Sequence, residues 1–385
     1  MQSTAIVGVI VAAIAVACSD SVTPPVTARV LWHVAGAGGA GRPVADDSTV
    51  YFVAAADSHA VHAFDIATGK SRWNASTGAT GVAIFSQGGC LLGSVIVACG
   101  DGTDVVGLAK SDGHLVWSFR PAIGRYPGVY ISTMDSARTT IFAPSPQNMV
   151  HALDAATGQV KWSVPVIAGD TNLVVYKVVD GGDVVFAPFT IFSKQDTGGV
   201  VALSKVDGAV RWPVKFSRTD SAFGAKDIAL WGNDVLVSLE NGRIAALDRS
   251  SGQVVWELPS AKTYAPWVPV NPGVVAIDLR TLVVSGNTLT AIGENSGWVV
   301  SYDLTTHLET SRGSTAHSAG ALWASSSDGM TGYFLSSSSM LFSFEIGKPT
   351  SVAPASGLIT FLTAPTLTTD RLFIGGVDGY YALKR

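Results

Sequence analysis

Few residues of this 385-residue chain are equipped for chemistry, and none has the neighbours its chemistry would need. The stretch ATGKSRW at 67–73 contains Gly69-Lys70-Ser71, the closing triplet of a phosphate-binding loop. Such a loop needs a further glycine five residues earlier, where backbone amides cradle a phosphate, and that position holds Phe64. His59 and His62 stand three apart, a spacing that invites a metal reading. In an extended strand such side chains point to opposite faces, and no H-E-x-x-H or Cys/His cluster accompanies them. There is no G-x-S-x-G turn to expose a nucleophilic serine. The serine runs SSSDG (325–329) and SSSSM (336–340) supply hydroxyls with no identifiable base. The sequence therefore assigns no catalytic, cofactor-binding or metal-ligating residue.

The cysteines number three, and they point to location. MQSTAIVGVIVAAIAVAC opens with a short polar start and an apolar run from Ala5 to Ala17, the length of a signal-peptide core and too short for a membrane span. Small Ala15 and Ala17 before Cys18 resemble a bacterial lipobox. Residues 1–17 are thus expected to be a lipoprotein-type signal peptide, with Cys18 lipidated. Residues 18–29 are then a tether in which Pro24 and Pro25 disfavour helix. The remaining pair, Cys90 and Cys99, flanks LLGSVIVA. If that run forms a hairpin, the sulfurs face each other across adjacent strands, either as a disulfide or as two buried thiols. An exported chain permits the bond.

Bulk properties narrow the partners. The net charge is −4 and no lysine or arginine run exists, so a phosphate-tracking surface for nucleic acid is not expected. After residue 17 no run of 18 apolar residues occurs.

What the chain does spell repeatedly is an architectural unit. VHAFDIATGKSRW (61–73), VVGLAKSDGHLVW (105–117), VHALDAATGQVKW (150–162), VVALSKVDGAVRW (200–212) and IAALDRSSGQVVW (244–256) share one pattern. Asp65, Ala109, Asp154, Ser204 and Asp248 mark it. Gly69, Gly113, Gly158, Gly208 and Gly252 follow four residues later, and Trp73, Trp117, Trp162, Trp212 and Trp256 four after those. Weaker copies place Asp303, Glu345 and Lys384 at the marker. A period in the forties fits a four-stranded propeller blade. The carboxylate caps the turn amides, the glycine supplies a positive φ, and the indole packs between sheets. Small residues two before the marker (Ala63, Gly107, Ala152, Ala202, Ala246) are expected to let blades approach closely.

The two ends complete the pattern. The last copy stops at Arg385 without a fourth strand, whereas ARVLWHV, carrying Trp32, reads as a fourth strand without a blade. Pairing them closes a ring and removes two open sheet edges. Residues 30–385 are therefore expected to form one all-β domain, an eight-bladed propeller of four-stranded antiparallel blades closed by the N-terminal strand.

The D-x-x-T-G-x-x-x-W repeat resembles that of the PQQ-like β-propeller family across the whole mature chain. The resemblance implies a lipid-anchored, stand-alone scaffold, monomeric and non-enzymatic, that holds another cell-envelope protein, as in outer-membrane protein assembly. It implies a bacterial outer-membrane lipoprotein facing the periplasm. The same family contains quinoprotein dehydrogenases binding pyrroloquinoline quinone (PQQ) and calcium, many with a disulfide between adjacent cysteines over the quinone. Here Cys90 and Cys99 are nine apart and no long insertion exists to bury a cofactor, so none is expected and quinone catalysis is the lesser alternative. A propeller binding a small ligand or polysaccharide at the channel mouth is the other.

Two departures from the period locate a candidate partner surface. FAPFTIFSKQDTGG (186–199) reads as an enlarged loop in blade four, and ELPSAKTYAPWVPVNPG (257–273) as an insertion after blade five. Both emerge on one face. Phe189, Ile191, Phe192, Tyr264 and Trp267 are there either as exposed anchors for a partner or as side chains folded back to cover the rim or widen the core, with Pro188, Pro266, Pro269 and Pro272 stiffening the loops.

Overall fold

Runs of β-branched and aromatic residues broken by Asp, Thr and Gly turns fold into antiparallel sheets of four short strands. The computed structural model describes residues 30–39, 41–54, 60–76, 89–100, 104–121, 133–145, 148–169, 173–175, 177–191, 197–216, 224–239, 242–258, 279–293, 298–314, 325–335, 339–354 and 361–385. Strand β1 is Val30–Ala35. Blade one follows as β2 (Val44–Ala45), β3 (Thr49–Val53), β4 (Ala60–Asp65) and β5 (Ser71–Ser76). Blade two is β6 (Cys90–Leu92), β7 (Ile96–Gly100), β8 (Val105–Ala109) and β9 (Leu115–Phe119). Blade three is β10 (Thr133–Met134), β11 (Thr140–Ser145), β12 (Met149–Asp154) and β13 (Val160–Pro165).

Blade four has a divided first strand, β14 (Leu173–Val175) and β15 (Val179–Asp180), then β16 (Val184–Ile191), β17 (Thr197–Ser204) and β18 (Val210–Phe216). Blade five is β19 (Ala225–Trp231), β20 (Asp234–Leu239), β21 (Ile244–Asp248) and β22 (Val254–Leu258). Blade six is β23 (Leu279–Ser285), β24 (Thr288–Gly293), β25 (Trp298–Asp303) and β26 (Leu308–Ser314). Blade seven is β27 (Ser325–Ser327), β28 (Thr331–Leu335), β29 (Leu341–Glu345) and β30 (Lys348–Pro354). Blade eight is β31 (Thr366–Leu367), β32 (Arg371–Gly376), β33 (Gly379–Lys384) and, as its fourth strand, β1.

The closure is as the sequence requires. Strand β1 runs antiparallel to β33, setting Trp32 opposite Ala382 and His33 opposite Tyr381, whose rings stack at 4.2 Å. First strands of neighbouring blades, such as β2 and β6 or β19 and β23, come within 8 Å of each other, Cα to Cα, so they form the inner wall. This is an eight-bladed β-propeller.

Its core lies between blades, not within one. Because successive strand residues point to opposite faces, β3 sends Val50 and Phe52 toward blade eight and Tyr51 and Val53 toward blade two. The buried apolar residues accordingly fall into eight clusters, one at each junction between blades. Middle strands covered on both faces read as continuous apolar runs.

That rule corrects the expectation for blade four. The run read as an enlarged loop is mostly strand, in β16 and β17, with all eight residues of β16 buried. Only 192–196 lie outside the described strands. Pro188 nevertheless leaves its mark. It pairs with Val200 on one side, and on the other the inner strand is interrupted between Val175, opposite Phe189, and Val179, opposite Phe186. A residue without an amide hydrogen cannot sustain a ladder on both sides.

Candidate functional site

The repeated turn is the chemically densest feature of the chain, and its groups serve the turn itself. The Asp65 carboxylate accepts hydrogen bonds from the Ala67 and Thr68 amides at 3.2 and 3.0 Å and from the Thr68 hydroxyl at 2.8 Å. Asp154 does the same with Ala156 and Thr157, and Asp248 with Ser250 and Ser251. The Thr68 hydroxyl, then Arg72, hold the Asp65 carboxyl down to about 2, and the hydroxyls of Ser250 and Ser251 hold Asp248 there as well. Burial pushes Asp154 upward, but the Thr157 hydroxyl and turn amides outweigh it and the net shift is downward. Blades two and four lack an acid at the marker. There Asp112 and Asp207, three residues on, accept the amides of His114 and Ala209 at 3.1 Å. That substitution is readable as S-D-G-H and V-D-G-A once the geometry is known.

Each glycine is at positive φ, from 70° at Gly158 to 77° at Gly113, and each faces the tryptophan of the preceding blade. A Cβ on Gly69, Gly113, Gly158, Gly208 or Gly252 would stand 2.4–2.8 Å from the ring of Trp32, Trp73, Trp117, Trp162 or Trp212 respectively. The same indoles donate their Nε1–H to a carbonyl in that next turn: Trp32 to Ile66 at 3.3 Å, Trp73 to Lys110 at 2.9 Å, Trp117 to Ala155 at 3.2 Å, Trp162 to Lys205 at 2.9 Å and Trp212 to Arg249 at 3.0 Å. The indole is thus a latch between blades. The small residues have a different use from the one expected: Ala63, Gly107, Ala152, Ala202 and Ala246 are the cross-strand partners of their own blade's tryptophan. At Gly107 a Cβ would stand 2.1 Å from Trp117, so small size makes room for the ring.

A return contact escaped the sequence reading. At the residue after the marker, three basic side chains reach back to the preceding blade. Lys110 pairs with Asp46 at 3.2 Å, Arg249 donates to the Gly181 carbonyl, and Arg385 pairs with Asp328. At the inner wall Asp227 joins three blades, pairing with Lys177 of blade four and accepting the Leu282 amide of blade six at 2.9 Å.

The strongest catalytic look-alike is also structural. His151 Nε2 lies 2.7 Å from Ser145 Oγ, the separation of a nucleophile and its base, but its Nδ1 lies 2.7 Å from Ser163 Oγ instead of a carboxylate. Burial lowers the imidazole to about 4, so at neutral pH the ring bridges two hydroxyls of its own sheet and has little basicity. Among the described residues no three His, Cys, Asp or Glu side chains come together as a cation requires. Cys90 and Cys99 are bonded and buried, on opposite positions of β6 and β7. A disulfide embedded in a sheet does not present itself to a quinone ring, and these residues do not fit that group.

The partner surface divides. For Phe189 and Ile191 the packing alternative holds and the anchor reading does not: they are buried in β16 at 0% and 7% exposure, within the layer between blades three and four. Their period-two neighbours are covered as well, which is why a core strand imitated a sticky loop. Phe192, Tyr264 and Trp267 lie outside the described residues, as does Cys18.

The family model "Outer membrane protein assembly factor BamB" matches residues 21–189 and again 136–339. A curated relative, the outer membrane protein assembly factor BamB of Yersinia pestis, is 26% identical over 168 residues, 42% of this chain and 40% of the relative, so the match spans less than half its length. The crystal structure of BamB from Moraxella catarrhalis superposes with a TM-score of 0.56 at 16% identity, over 90% of this chain and 84% of that one. The quinohemoprotein alcohol dehydrogenase of Comamonas testosteroni gives 0.60 at 14% identity, over 94% of this chain and 76% of that one, a likeness of fold alone. With matches to its model running from residue 21 to residue 339, the chain belongs to the BamB family of outer membrane protein assembly factors.

Proposed function

We propose that this protein is a non-enzymatic propeller scaffold of the bacterial cell envelope, tethered by a lipid on Cys18 and holding another envelope protein during outer-membrane protein assembly. One observation carries the reading: in a chain of the BamB family, the described polar groups of the repeat are spent on turns and interblade latches, leaving no assembled reactive centre. The buried Cys90–Cys99 disulfide supports an oxidising compartment such as the periplasm. Phe192, Tyr264 and Trp267 remain the proposed anchors for the partner. No cofactor belongs to this reading.

Affinity capture of the full chain from solubilised membranes tests it. Recovery of an outer-membrane assembly protein, weakened by Phe192→Ala with Trp267→Ala while the melting temperature holds, is the expected result. Binding of a glycan in place of a protein, or dye-linked alcohol oxidation after addition of pyrroloquinoline quinone and calcium, would replace the scaffold reading.

A further inference from the structure

Eight junctions close the ring, and they are unequally built. Five of them, from blades eight and one round to blades four and five, carry the full latch of indole on glycine and indole N–H to carbonyl. Between blades five and six, His307 stands at the glycine position with φ 57°. Trp256 stacks on that imidazole at 4.2 Å and turns its N–H to Asp234 of its own blade. Between blades six and seven the tryptophan position is Ser311, whose hydroxyl donates to the Gly347 carbonyl at 2.8 Å. Between blades seven and eight it is Ala353, opposite Ser343, and Arg385 with Asp328 spans the gap.

The smallest apolar layer falls on this unlatched arc. Among the described residues the layer between blades six and seven holds five buried side chains, Ile292, Val299, Phe334, Phe342 and Phe344, against thirteen between blades four and five. With no indole between them, β26 and β30 approach within 8 Å, Cα to Cα. The seam where the chain's ends meet is built differently. Across it stand the β1–β33 ladder with its stacked His33 and Tyr381, the Trp32 and Phe373 rings 5.9 Å apart, the Arg371 guanidinium on the Ile66 carbonyl at 2.7 Å, and the Phe52 and Tyr380 rings 4.8 Å apart.

We infer that the ring yields at blades six and seven and holds at its closure. A propeller closed by pairing its two ends would ordinarily be expected to open there, since no covalent bond crosses the seam. Here the β1–β33 ladder and the contacts beside it place that seam among the firmest junctions, and the arc through blades six and seven is the first cooperative unit to open. A pull on the amino-terminal end therefore loads a well-stapled seam, while the arc through blades six and seven yields first.

Hydrogen exchange of the full chain, disulfide intact and followed by mass spectrometry, tests this. Amides of β25 and β29 are expected to exchange at least about tenfold faster than those of β12 and β17, with β33 as slow as the latter. Fastest exchange in β1 and β33, or equal protection around the ring, would overturn the inference. Trp162→Leu should transplant the weakness, raising β12 and β17 toward the rates of β25. Unchanged rates there would show that the indole does not set the order. Should that variant fail to fold, the wild-type comparison decides alone.

Discussion

The side chain that Gly158 lacks would begin 2.6 Å from the Trp117 ring of the preceding blade, and Gly158 sits at φ 70°. Two costs coincide at this one position. An L side chain in the left-handed region loses roughly 1–2 kcal/mol, and the ring must also shift. Gly158→Ala is therefore expected to destabilise the propeller by about 2–4 kcal/mol. Equilibrium denaturation measures it. A loss below about 1 kcal/mol would mean that the indole is not held against this turn.

The latch makes the tryptophans unequal despite their identical place in the repeat. Trp162 is 8% exposed and donates to Lys205 of the next blade, whereas Trp256 is half-buried and donates within its own blade. Trp162→Ala should cost about 3–5 kcal/mol and Trp256→Ala about 1–2 kcal/mol, since less of the second ring is lost from the core. Equal losses from the two variants would remove the distinction between latched and unlatched junctions.

The disulfide closes a short loop on an inner strand only three residues long, Cys90–Leu92. Constraint of the unfolded chain over that separation is worth roughly 2–3 kcal/mol. Cys90→Ala with Cys99→Ala should lower the melting temperature by the equivalent amount, and a reductant should then have no further effect on the variant. The wild type should resist reduction under native conditions, because both cysteines are buried. Rapid reduction of the folded wild type would contradict that placement.

The architecture was legible because each of its rules leaves a mark in one repeat and recurs. The Asp, Gly and Trp spacing gave the turn, and the unmatched Trp32 strand gave the closure. What stayed hidden was direction. The sequence shows that Ala152 is small but not that it makes room for Trp162 of its own blade. Lys110, Arg249 and Arg385 look like solvated turn residues until the preceding blade is placed beside them. Phe189 and Ile191 misled for a related reason: a strand buried on both faces has no polar alternation, so it resembles an apolar loop. The two Asp227 contacts, with Lys177 and Leu282, reach blades about fifty residues away on either side, beyond any local pattern.

Acid should lower the stability of the fold over two separable pH windows, and His151 sets the first. Its folded value is lowered to about 4 by burial, against the 6.5 of a free imidazole. The unfolded chain therefore takes up a proton on this ring as pH falls through 6.5, while the folded chain declines one until about 4. Stability from this group is intact above 6.5 and drains away between 6.5 and 4, by an amount on the order of 3 kcal/mol. Asp65 and Asp248 act lower. Their carboxyls, held at about 2 by turn hydroxyls, favour the fold above the ordinary value of 3.8 and lose that effect as pH falls toward 2. Urea denaturation at pH 8, 6, 5 and 4 reads the first window directly. His151→Gln, which keeps a hydrogen-bonding side chain between Ser145 and Ser163 but cannot titrate, should start less stable at pH 8 and change little down to pH 4. A variant that loses stability as steeply as wild type over that range would show that some other group takes up the proton.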